Sequence, residues 1–439
     1  MRRLKAHLIE AIKYDWRWAK VIPMHVISLY VLLMRRLHAD SLAFKITSRV
    51  YQFGWPNSKK ICSDTTNLIF KTESARGARL VERHVRASKI PASLSKFEQD
   101  PKKLLDTPLR VVKSAREDER GLVIAKYNHY FPLLHQLIDL DKVLNRYNVV
   151  LEPSWAGYCN LDLLSVTRYE EPVFVMAYEP RDYHLLKEST TLVPIDVGPS
   201  WFVDHRVFCP PAENCSRDID IVMVAAWAKY KRHDSFFKAL NRVRKSGHEL
   251  NVTLVGYPGD LDRQQIIDYA SQWQVADWIT THEWITPAEV ATILQRSRVN
   301  ILWSRFEGNN RALAEGMFCG TPAILREGHN YGYRYEFINK ATGCYANESN
   351  LPKKIMTVLN NPHEYKTREY VMNHRNCLRA MSKINQTVKE HETQVGRAWT
   401  TDAVPKVNEL HGMKYFDAEC TTRFDADYAF LRSCVRPSA

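Results

Sequence analysis

Two series of short apolar segments, each alternating with segments of helical periodicity, most strongly limit how this chain can fold. The first series begins at residues 122, 149, 173 and 192, and the second at 219, 252, 278, 299 and 321. Such alternation predicts buried parallel strands covered by helices. Residues 196–211 lack periodicity and contain four prolines and glycines, which predicts a linker. The expected fold class is therefore α/β, with two Rossmann-like, doubly wound domains that face a central cleft.

The chain divides into predicted segments that follow this pattern. They are an N-terminal extension with the start of the first domain (1–110), the first Rossmann-like domain (111–200), the linker (201–216), the second Rossmann-like domain (217–375) and C-terminal helices with a tail (376–439). The extension is expected to be mostly helical, with a short strand at residues 66–71. Ligands of such domains bind beyond the carboxyl ends of the strands, so functional residues are expected in the loops there.

The composition favours an anionic partner in a reducing compartment. The 439 residues include 62 Lys and Arg against 49 Asp and Glu, a formal net charge of +13. This excess suits nucleic acid, anionic lipid or a phosphorylated small molecule. The absence of an RNA-binding motif makes nucleic acid unexpected. The nine cysteines form no Cys-x-x-Cys pair, which argues against a zinc site or disulfide scaffold and for the cytoplasm.

An apolar run at residues 21–34 leaves two interpretations open. It is short for a membrane span, which needs roughly 20 residues. Basic residues flank it on both sides: Arg2, Arg3, Lys5, Lys13, Arg17, Lys20, Arg35 and Arg36. One interpretation is a helix on an anionic membrane surface, with Trp16 and Trp18 at the interface. The other, which is our default, is a buried helix with a solvated basic end.

Residues 306–325 predict a strand–loop–helix–strand unit that contains two carboxylates, Glu307 and Glu315. The apolar residues 299–303 form the preceding strand, and Glu307 with Gly308 forms a turn. Either Asn309 or Asn310 can cap the helix through its side-chain carbonyl. A Glu-x7-Glu spacing alone occurs by chance about once in such a chain, so its context carries the prediction.

This context predicts a phosphate and sugar site. The loop from Gly308 to Asn310 offers backbone N–H groups to a diphosphate at the positive end of a helix. Glu315 could accept hydrogen bonds from a ribose diol, and Glu307 could face positive charge on a reacting sugar. The alternative makes Glu307 a turn residue and Glu315 a solvated helix residue.

A cationic loop follows the strand at residues 219–225. Lys229, Lys231 and Arg232 could neutralise a diphosphate leaving group, although a solvated basic loop is the alternative. After the next strand, Gly256 could let a ligand approach the backbone, or it could serve a plain turn. A Gly-x-Gly-x-x-Gly fingerprint is absent, which weakens a dehydrogenase interpretation.

In the first domain, His129 and a Trp-Ala-Gly-Tyr sequence at 155–158 follow the first two strands of the series. His129 could act as a general base or bind an acceptor hydroxyl, and a structural role is the alternative. Aromatic side chains of 155–158 could stack on a sugar or a base, while core packing explains at least one of them.

Residues 190–400 resemble a retaining glycosyltransferase of family 4, the glycosyl transferases group 1, which has the GT-B fold. The resemblance is carried by four segments in this order: VPIDVGPSWFVDHRVFCP (193–210), IVMVAAWAKYKRHDSFFKAL (221–240), LVGYPGD (254–260) and FEGNNRALAEGMFCGTPAIL (306–325). In the same order, they are similar to four segments of the family: the interdomain segment, the diphosphate-binding strand with its basic loop, the next strand with its glycine, and the Glu-Gly loop with a second Glu.

The resemblance implies a role for each matching residue. Lys231 matches the phosphate-binding lysine of the family. Glu307 matches the carboxylate near the reacting sugar, and Glu315 matches the one at the donor ribose. Gly308 and Asn309 match the loop whose amides bind the phosphate. The customary Gly-Arg of the family is replaced by Ala225-Ala226, and Arg232 or Lys229 are candidates to supply the missing cation.

The resulting prediction is a retaining glycosyltransferase that needs no cofactor or metal. Its donor would be a nucleotide-diphosphate sugar in the second domain, and its acceptor a glycan, lipid or small molecule in the first. Two alternatives stay open. One is a nucleotide-sugar epimerase, which would need additional acid and base groups but no acceptor. The other is a non-enzymatic binder of nucleic acid or an anionic surface, which would show a steep salt dependence.

Overall fold

The computed structural model describes residues 12, 16, 18–70, 75–212, 216–410 and 412–436. The chain forms two compact units. The first unit comprises Met1–Phe202 and Cys377–Ala439, and the second comprises Val203–Asn376. The predicted C-terminal helices and tail thus belong to the first unit.

The first unit begins with helices and continues into a five-stranded sheet. The α-helices that the structure describes before the sheet are α1 (Val21–Arg36), α2 (Asp40–Gln52), α3 (Ser58–Phe70), α4 (Ala75–Ala87), α5 (Ser95–Gln99) and α6 (Lys103–Asp106). The strands are β1 (Leu109–Lys113), β2 (Gly121–Lys126), β3 (Tyr147–Glu152), β4 (Val173–Met176) and β5 (Leu192–Ile195). The helices between them are α7 (Phe131–Leu137), α8 (Leu140–Arg146), α9 (Leu161–Leu164) and α10 (Pro180–Leu186).

The strands of this sheet follow their order in the chain, β1-β2-β3-β4-β5. Strand β1 pairs antiparallel with β2, and the other pairs are parallel. The order therefore does not reverse within this sheet, as it would in a doubly wound sheet. The expected α/β class with parallel sheets is confirmed, but the expected doubly wound order does not apply to this sheet.

The second unit has the doubly wound order. Its strands are β6 (Ile219–Val224), β7 (Val252–Gly256), β8 (Ile279–Glu283), β9 (Ser297–Leu302), β10 (Ala323–Arg326) and β11 (Gly343–Ala346). Its helices are α11 (His233–Lys245), α12 (Arg263–Gln272), α13 (Pro287–Arg296), α14 (Arg311–Phe318), α15 (Leu351–Asn360) and α16 (Thr367–His374). The six strands are parallel, in the order β11-β10-β9-β6-β7-β8. The order reverses between β6 and β9, where ligands of such sheets bind.

After the second unit the chain returns to the first. It forms α17 (Cys377–Gln394), a hairpin of β12 (Lys406–Asn408) and β13 (Met413–Tyr415), and α18 (Asp425–Ser433). The buried side chain of Lys406 pairs with Glu152 at the end of β3. The hydroxyl of Tyr147 in β3 donates to Asp427 in α18 at 2.6 Å. These buried polar contacts fix the tail on the first sheet.

The strand predicted at residues 66–71 is wrong. Residues up to Phe70 belong to α3, and residue 71 lies outside the described residues. The β-branched residues of this segment suggested a strand. However, the buried positions 61, 62, 65, 66, 69 and 70 recur with helical spacing, so tertiary packing favours the helix.

Helix α1 buries only two of its side chains, Met24 and Val31. It therefore differs from the buried helix taken as the default. With the preceding turn it gives a helix, Trp18–Arg36, that is long and apolar enough to cross a membrane by length and composition. Of the predicted flanking residues, Arg2, Arg3, Lys5, Lys13 and Arg17 lie outside the described residues.

Candidate active site

The predicted cationic loop and the first carboxylate meet at the reversal of strand order in the second unit. Strands β6 and β9 are hydrogen-bonded neighbours, so the loops at their carboxyl ends lie side by side. A 3₁₀ turn, Lys229–Lys231, follows β6, and Glu307 follows β9. The Lys231 Nζ atom lies 2.5 Å from Glu307 Oε1. The structure thus brings together the two residues that sequence reasoning placed at the centre of the site.

This ion pair is almost fully enclosed. Each side chain is 8% exposed, and the Ser304 hydroxyl donates a further hydrogen bond to Glu307 Oε1. Burial alone would raise the pKa of Glu307, but Lys231 and Ser304 hold that pKa below its ordinary value. Glu307 is therefore an ionised carboxylate at neutral pH, and it is not the simple turn residue of the alternative interpretation.

Helix α14 begins beside this pair and lies close to the sheet. Asn310 is its N-cap, because the Asn310 side chain accepts from the backbone N–H of Leu313 at 2.7 Å. A Cβ atom on Gly316 would lie 2.3 Å from Asn300 Nδ2 in β9, so only glycine allows this close packing. Gly308 and Asn309 lie in the loop just before the helix.

Glu315 lies on α14 with little exposure. It is 7% exposed, and its Oε1 accepts from Arg311 Nε at 2.6 Å. Burial raises the pKa of Glu315, and Arg311 partly opposes this effect. The alternative of a solvated helix residue does not hold.

The other two cations of the basic loop contact different carboxylates. Arg232 follows the 3₁₀ turn in the left-handed conformation, with φ of 63°, a position that favours glycine. Its Nη1 atom lies 2.5 Å from Glu348 Oε1. Burial would raise the pKa of Glu348, but Arg232 and Arg326 lower it to about 2. Lys229 has an exposed side chain, and its backbone N–H donates to Asp260 at 2.9 Å.

A scaffold that sequence reasoning missed holds the Glu307 loop in place. Asn330 Oδ1 accepts from the backbone N–H of Glu307 at 2.7 Å, and Asn330 Nδ2 donates to the Tyr335 hydroxyl at 3.0 Å. Tyr335 in turn donates to the Gly308 carbonyl at 3.4 Å. Both side chains are buried. Both residues follow β10, which is the sheet neighbour of β9. The strand order could have identified them as candidates, because the loops after neighbouring strands lie side by side.

A buried histidine beside this scaffold was also missed. His329 is fully buried, and neither ring nitrogen has a hydrogen-bond partner in the described part of the chain. Burial lowers the pKa of His329 to about 4, although the nearby Glu307 favours the protonated form. The ring is therefore neutral at pH 7. His233, which starts α11, is buried in the same way, and burial lowers its pKa to about 3.

Gly256 and two exposed aromatic rings lie at the neighbouring strand ends. A Cβ atom on Gly256 would lie 2.4 Å from the Ala225 carbonyl oxygen, so glycine allows the ends of β7 and β6 to approach. The rings of Tyr257 and Trp284 lie with centroids 5.3 Å apart. Trp284 is 75% exposed, and its φ of 55° is unusual for a bulky residue.

His129 belongs to the first unit, where it is exposed and stacks on Tyr127 with centroids 5.4 Å apart. Burial of part of its ring lowers the pKa of His129. Asn128 Oδ1 accepts from the backbone N–H groups of Ser154 at 2.7 Å and Trp155 at 3.2 Å, which ties the loops after β2 and β3 together. Trp155 is half-exposed, whereas Tyr158 is buried in the core.

No three His, Cys, Asp or Glu side chains come together as a metal site would require, within the residues that the structure describes.

Comparison with known proteins gives a family for the second unit. Residues 212–375 match the family model described as Glycosyl transferases group 1. This range contains Lys231, Glu307 and the Asn330 scaffold. No curated protein matches the chain.

Several solved structures are similar to this chain. Sucrose-phosphate synthase from Thermosynechococcus elongatus is 16% identical over 70% of this chain and 81% of its own, with a TM-score of 0.51. The Anabaena protein Alr3699/HepE in complex with UDP is 11% identical over 61% of this chain and 78% of its own, with a TM-score of 0.48. TarM is 14% identical over 61% of this chain and 54% of its own, with a TM-score of 0.46.

The two mainly parallel sheets and the family match over the second unit agree with the expected architecture. Residues 212–375 therefore form a glycosyltransferase domain of the glycosyl transferases group 1 family, and the chain has the GT-B fold.

Proposed function

We propose that the enzyme transfers a sugar from a nucleotide-diphosphate sugar to an acceptor, with retention of anomeric configuration and without a resident metal ion. The observation that carries this proposal is the enclosed Lys231–Glu307 pair beside the start of α14. A cation, a carboxylate and the positive end of a helix converge there. A sugar diphosphate needs this set of charges when its glycosidic bond breaks.

The donor diphosphate would lie against the N-terminal end of α14. The loop at Gly308 and Asn309 provides backbone amides, and Lys231 provides positive charge. As negative charge develops on the departing diphosphate, Lys231 stabilises it, and Glu307 faces the positive charge that develops on the sugar. Arg232 provides a second cation, which Glu348 holds by an ion pair. Glu315 would accept hydrogen bonds from the ribose.

The base of the nucleotide would stack on the exposed aromatic pair. Tyr257 and Trp284 follow β7 and β8, the strands next to β6 on the side away from β9. A donor that extends from the loop of Glu307 across the end of β6 would therefore place its base over these strands. Stacking on Trp284 requires no particular base, so the pair does not select one.

The acceptor would be recognised by the first unit. Its loops after β2 and β3 present His129 and the half-exposed Trp155, and Asn128 holds the two loops together. An indole ring suits the apolar face of a sugar, and an imidazole can accept a proton from an attacking hydroxyl. A glycan, a lipid or a small molecule remain the candidate acceptors. The free cysteines of the described residues fit a cytoplasmic enzyme, which could work at a membrane surface.

The test starts with saturation-transfer NMR on a panel of nucleotide sugars, followed by a transfer assay with the donor that binds. Glu307→Ala and Lys231→Ala are expected to abolish transfer without unfolding the protein. Lys245→Ala and Glu249→Ala, which change exposed charges of the same unit, serve as matched controls. Full activity of either site variant would refute the assignment. Conversion of the donor to its epimeric nucleotide sugar in the absence of an acceptor, without net release of free nucleotide, would favour an epimerase.

A further inference from the structure

Helix α1 carries apolar side chains on two faces, and only one of these faces packs against the described part of the chain. The inward row consists of Met24, Ile27, Val31 and Met34, which pack with Ala43, Ile46, Val50, Ile61 and Trp55. The outward row is 48–77% exposed and consists of Trp18, Ile22, Val26, Leu29 and Leu33. A helix that is apolar all round is normally buried all round. Here the outward row has no cover from the residues that the structure describes.

The outward row is a continuous surface. Its members are spaced by four, four, three and four residues, so their side chains lie one above the other along one side of the helix. Val21, Tyr30, Leu32 and Leu37, which are 40–64% exposed, widen it. Single exposed apolar residues are ordinary, but a contiguous row of this size marks an interaction surface.

The charge around the row indicates the kind of partner. Residues 18–70 contain seven Lys and Arg but only two Asp, Asp40 and Asp64, which gives a net charge of +5. One of these acids, Asp40, is paired with Arg76. Arg35 and Arg36 end the helix. At its other end, the rings of Trp16 and Trp18 stack with centroids 5.8 Å apart. Indole rings favour the boundary between headgroups and acyl chains.

We propose that α1 lies in the plane of an anionic membrane surface, with its outward row in the acyl boundary and Arg35 and Arg36 on the lipid phosphates. A partner that is apolar and anionic complements both features. A second copy of this helix would bring two basic surfaces together. A spanning orientation would separate the inward row from α2, against which α1 packs.

The test measures co-sedimentation of the full chain with vesicles of phosphatidylcholine alone or with phosphatidylglycerol at 7:3. The intact chain is expected to bind the mixed vesicles. The double variant Ile22→Ser/Leu29→Ser should bind them more than about 50-fold more weakly, because two exposed aliphatic side chains are lost. The matched control Leu378→Ser/Val395→Ser removes exposed apolar residues elsewhere in the first unit and should bind like the intact chain.

The role of charge is tested by Arg35→Gln/Arg36→Gln, which should weaken binding to the mixed vesicles roughly 25-fold.

The measurement does not depend on the proposed glycosyl transfer, because it needs neither donor nor acceptor. Failure of the intact chain to bind mixed vesicles would overturn the proposal. A second result would also overturn it: a dimer of the intact chain in sedimentation velocity that the Ile22→Ser/Leu29→Ser substitutions disrupt, while binding to the vesicles is unchanged. Resistance to extraction by alkaline carbonate would show a spanning helix, which also contradicts it.

Discussion

Replacing Asn330 with alanine would remove the link that fixes the Glu307 loop. The substitution deletes the acceptor for the backbone N–H of Glu307 and the donor to Tyr335. Asn330 is 7% exposed and Tyr335 is 3% exposed, so water does not readily replace the lost contacts. A buried donor left without a partner costs about 1–3 kcal/mol. We expect the variant to lose about 2–4 kcal/mol of unfolding free energy in the second unit.

The expected effect on activity is larger than the effect on donor affinity. Asn330 holds the backbone from which Glu307 and Gly308 project, and a shift of about 1 Å at a reacting group can reduce the rate about 100-fold. We therefore expect kcat to fall about 10- to 100-fold, with a smaller rise in the KM for the donor. Tyr335→Phe, which removes only the hydroxyl between Asn330 and Gly308, should show a weaker effect in the same direction.

The assay combines steady-state kinetics with thermal unfolding. A loss of 2–4 kcal/mol should lower the Tm of a unit of this size by roughly 5–15 °C. The matched control is Asn361→Ala, whose side chain donates to the Thr357 carbonyl at an exposed helix end. Wild-type kcat in a folded Asn330→Ala protein would refute the view that this asparagine positions the loop.

Two further predictions concern the nucleotide base and the buried histidine. Trp284→Ala should raise the KM for the donor about 5- to 150-fold with kcat nearly unchanged, because stacking on a base contributes about 1–3 kcal/mol. An unchanged KM in initial-rate kinetics would place the base elsewhere. His329 has a folded-state pKa of about 4, whereas in the unfolded chain it is about 6.5, so the unfolded state binds more protons between these values. The contribution of His329 to the free energy of unfolding, on the order of 3 kcal/mol, is therefore fully present above pH 6.5. It is lost as the pH falls towards 4. Urea unfolding across this range should show that His329→Gln has a flatter pH dependence than the intact chain, and equal slopes would contradict this.

Local signals predicted the strand–loop–helix unit around Glu307 correctly. Asn310, one of the two predicted cap residues, caps α14. Capping residues, glycine and helical spacing act over a few residues, so a single segment of sequence contains them. The meeting of Lys231 with Glu307 was predictable for a different reason: two loops at the carboxyl ends of strands share one edge of a parallel sheet.

The scaffold around Asn330 could not be predicted in the same way. Its residues lie in a 3₁₀ turn and an irregular segment after β10, where no periodicity distinguishes a buried asparagine from an exposed one. Their importance depends on β10 being the sheet neighbour of β9. The sequential strand order of the first sheet and the return of Lys406 to Glu152 are likewise long-range outcomes that local patterns do not encode.

The central claim is that the Lys231–Glu307 pair lies at the site of the donor diphosphate. Isothermal titration of nucleoside diphosphates tests it without an acceptor, by comparing the intact chain with Lys231→Ala and with the exposed-lysine control Lys245→Ala. Loss of a charge-assisted contact of about 1.5–3 kcal/mol predicts binding about 10- to 150-fold weaker for Lys231→Ala and unchanged for the control. Equal affinity of all three proteins for the diphosphate that binds the intact chain would contradict the claim.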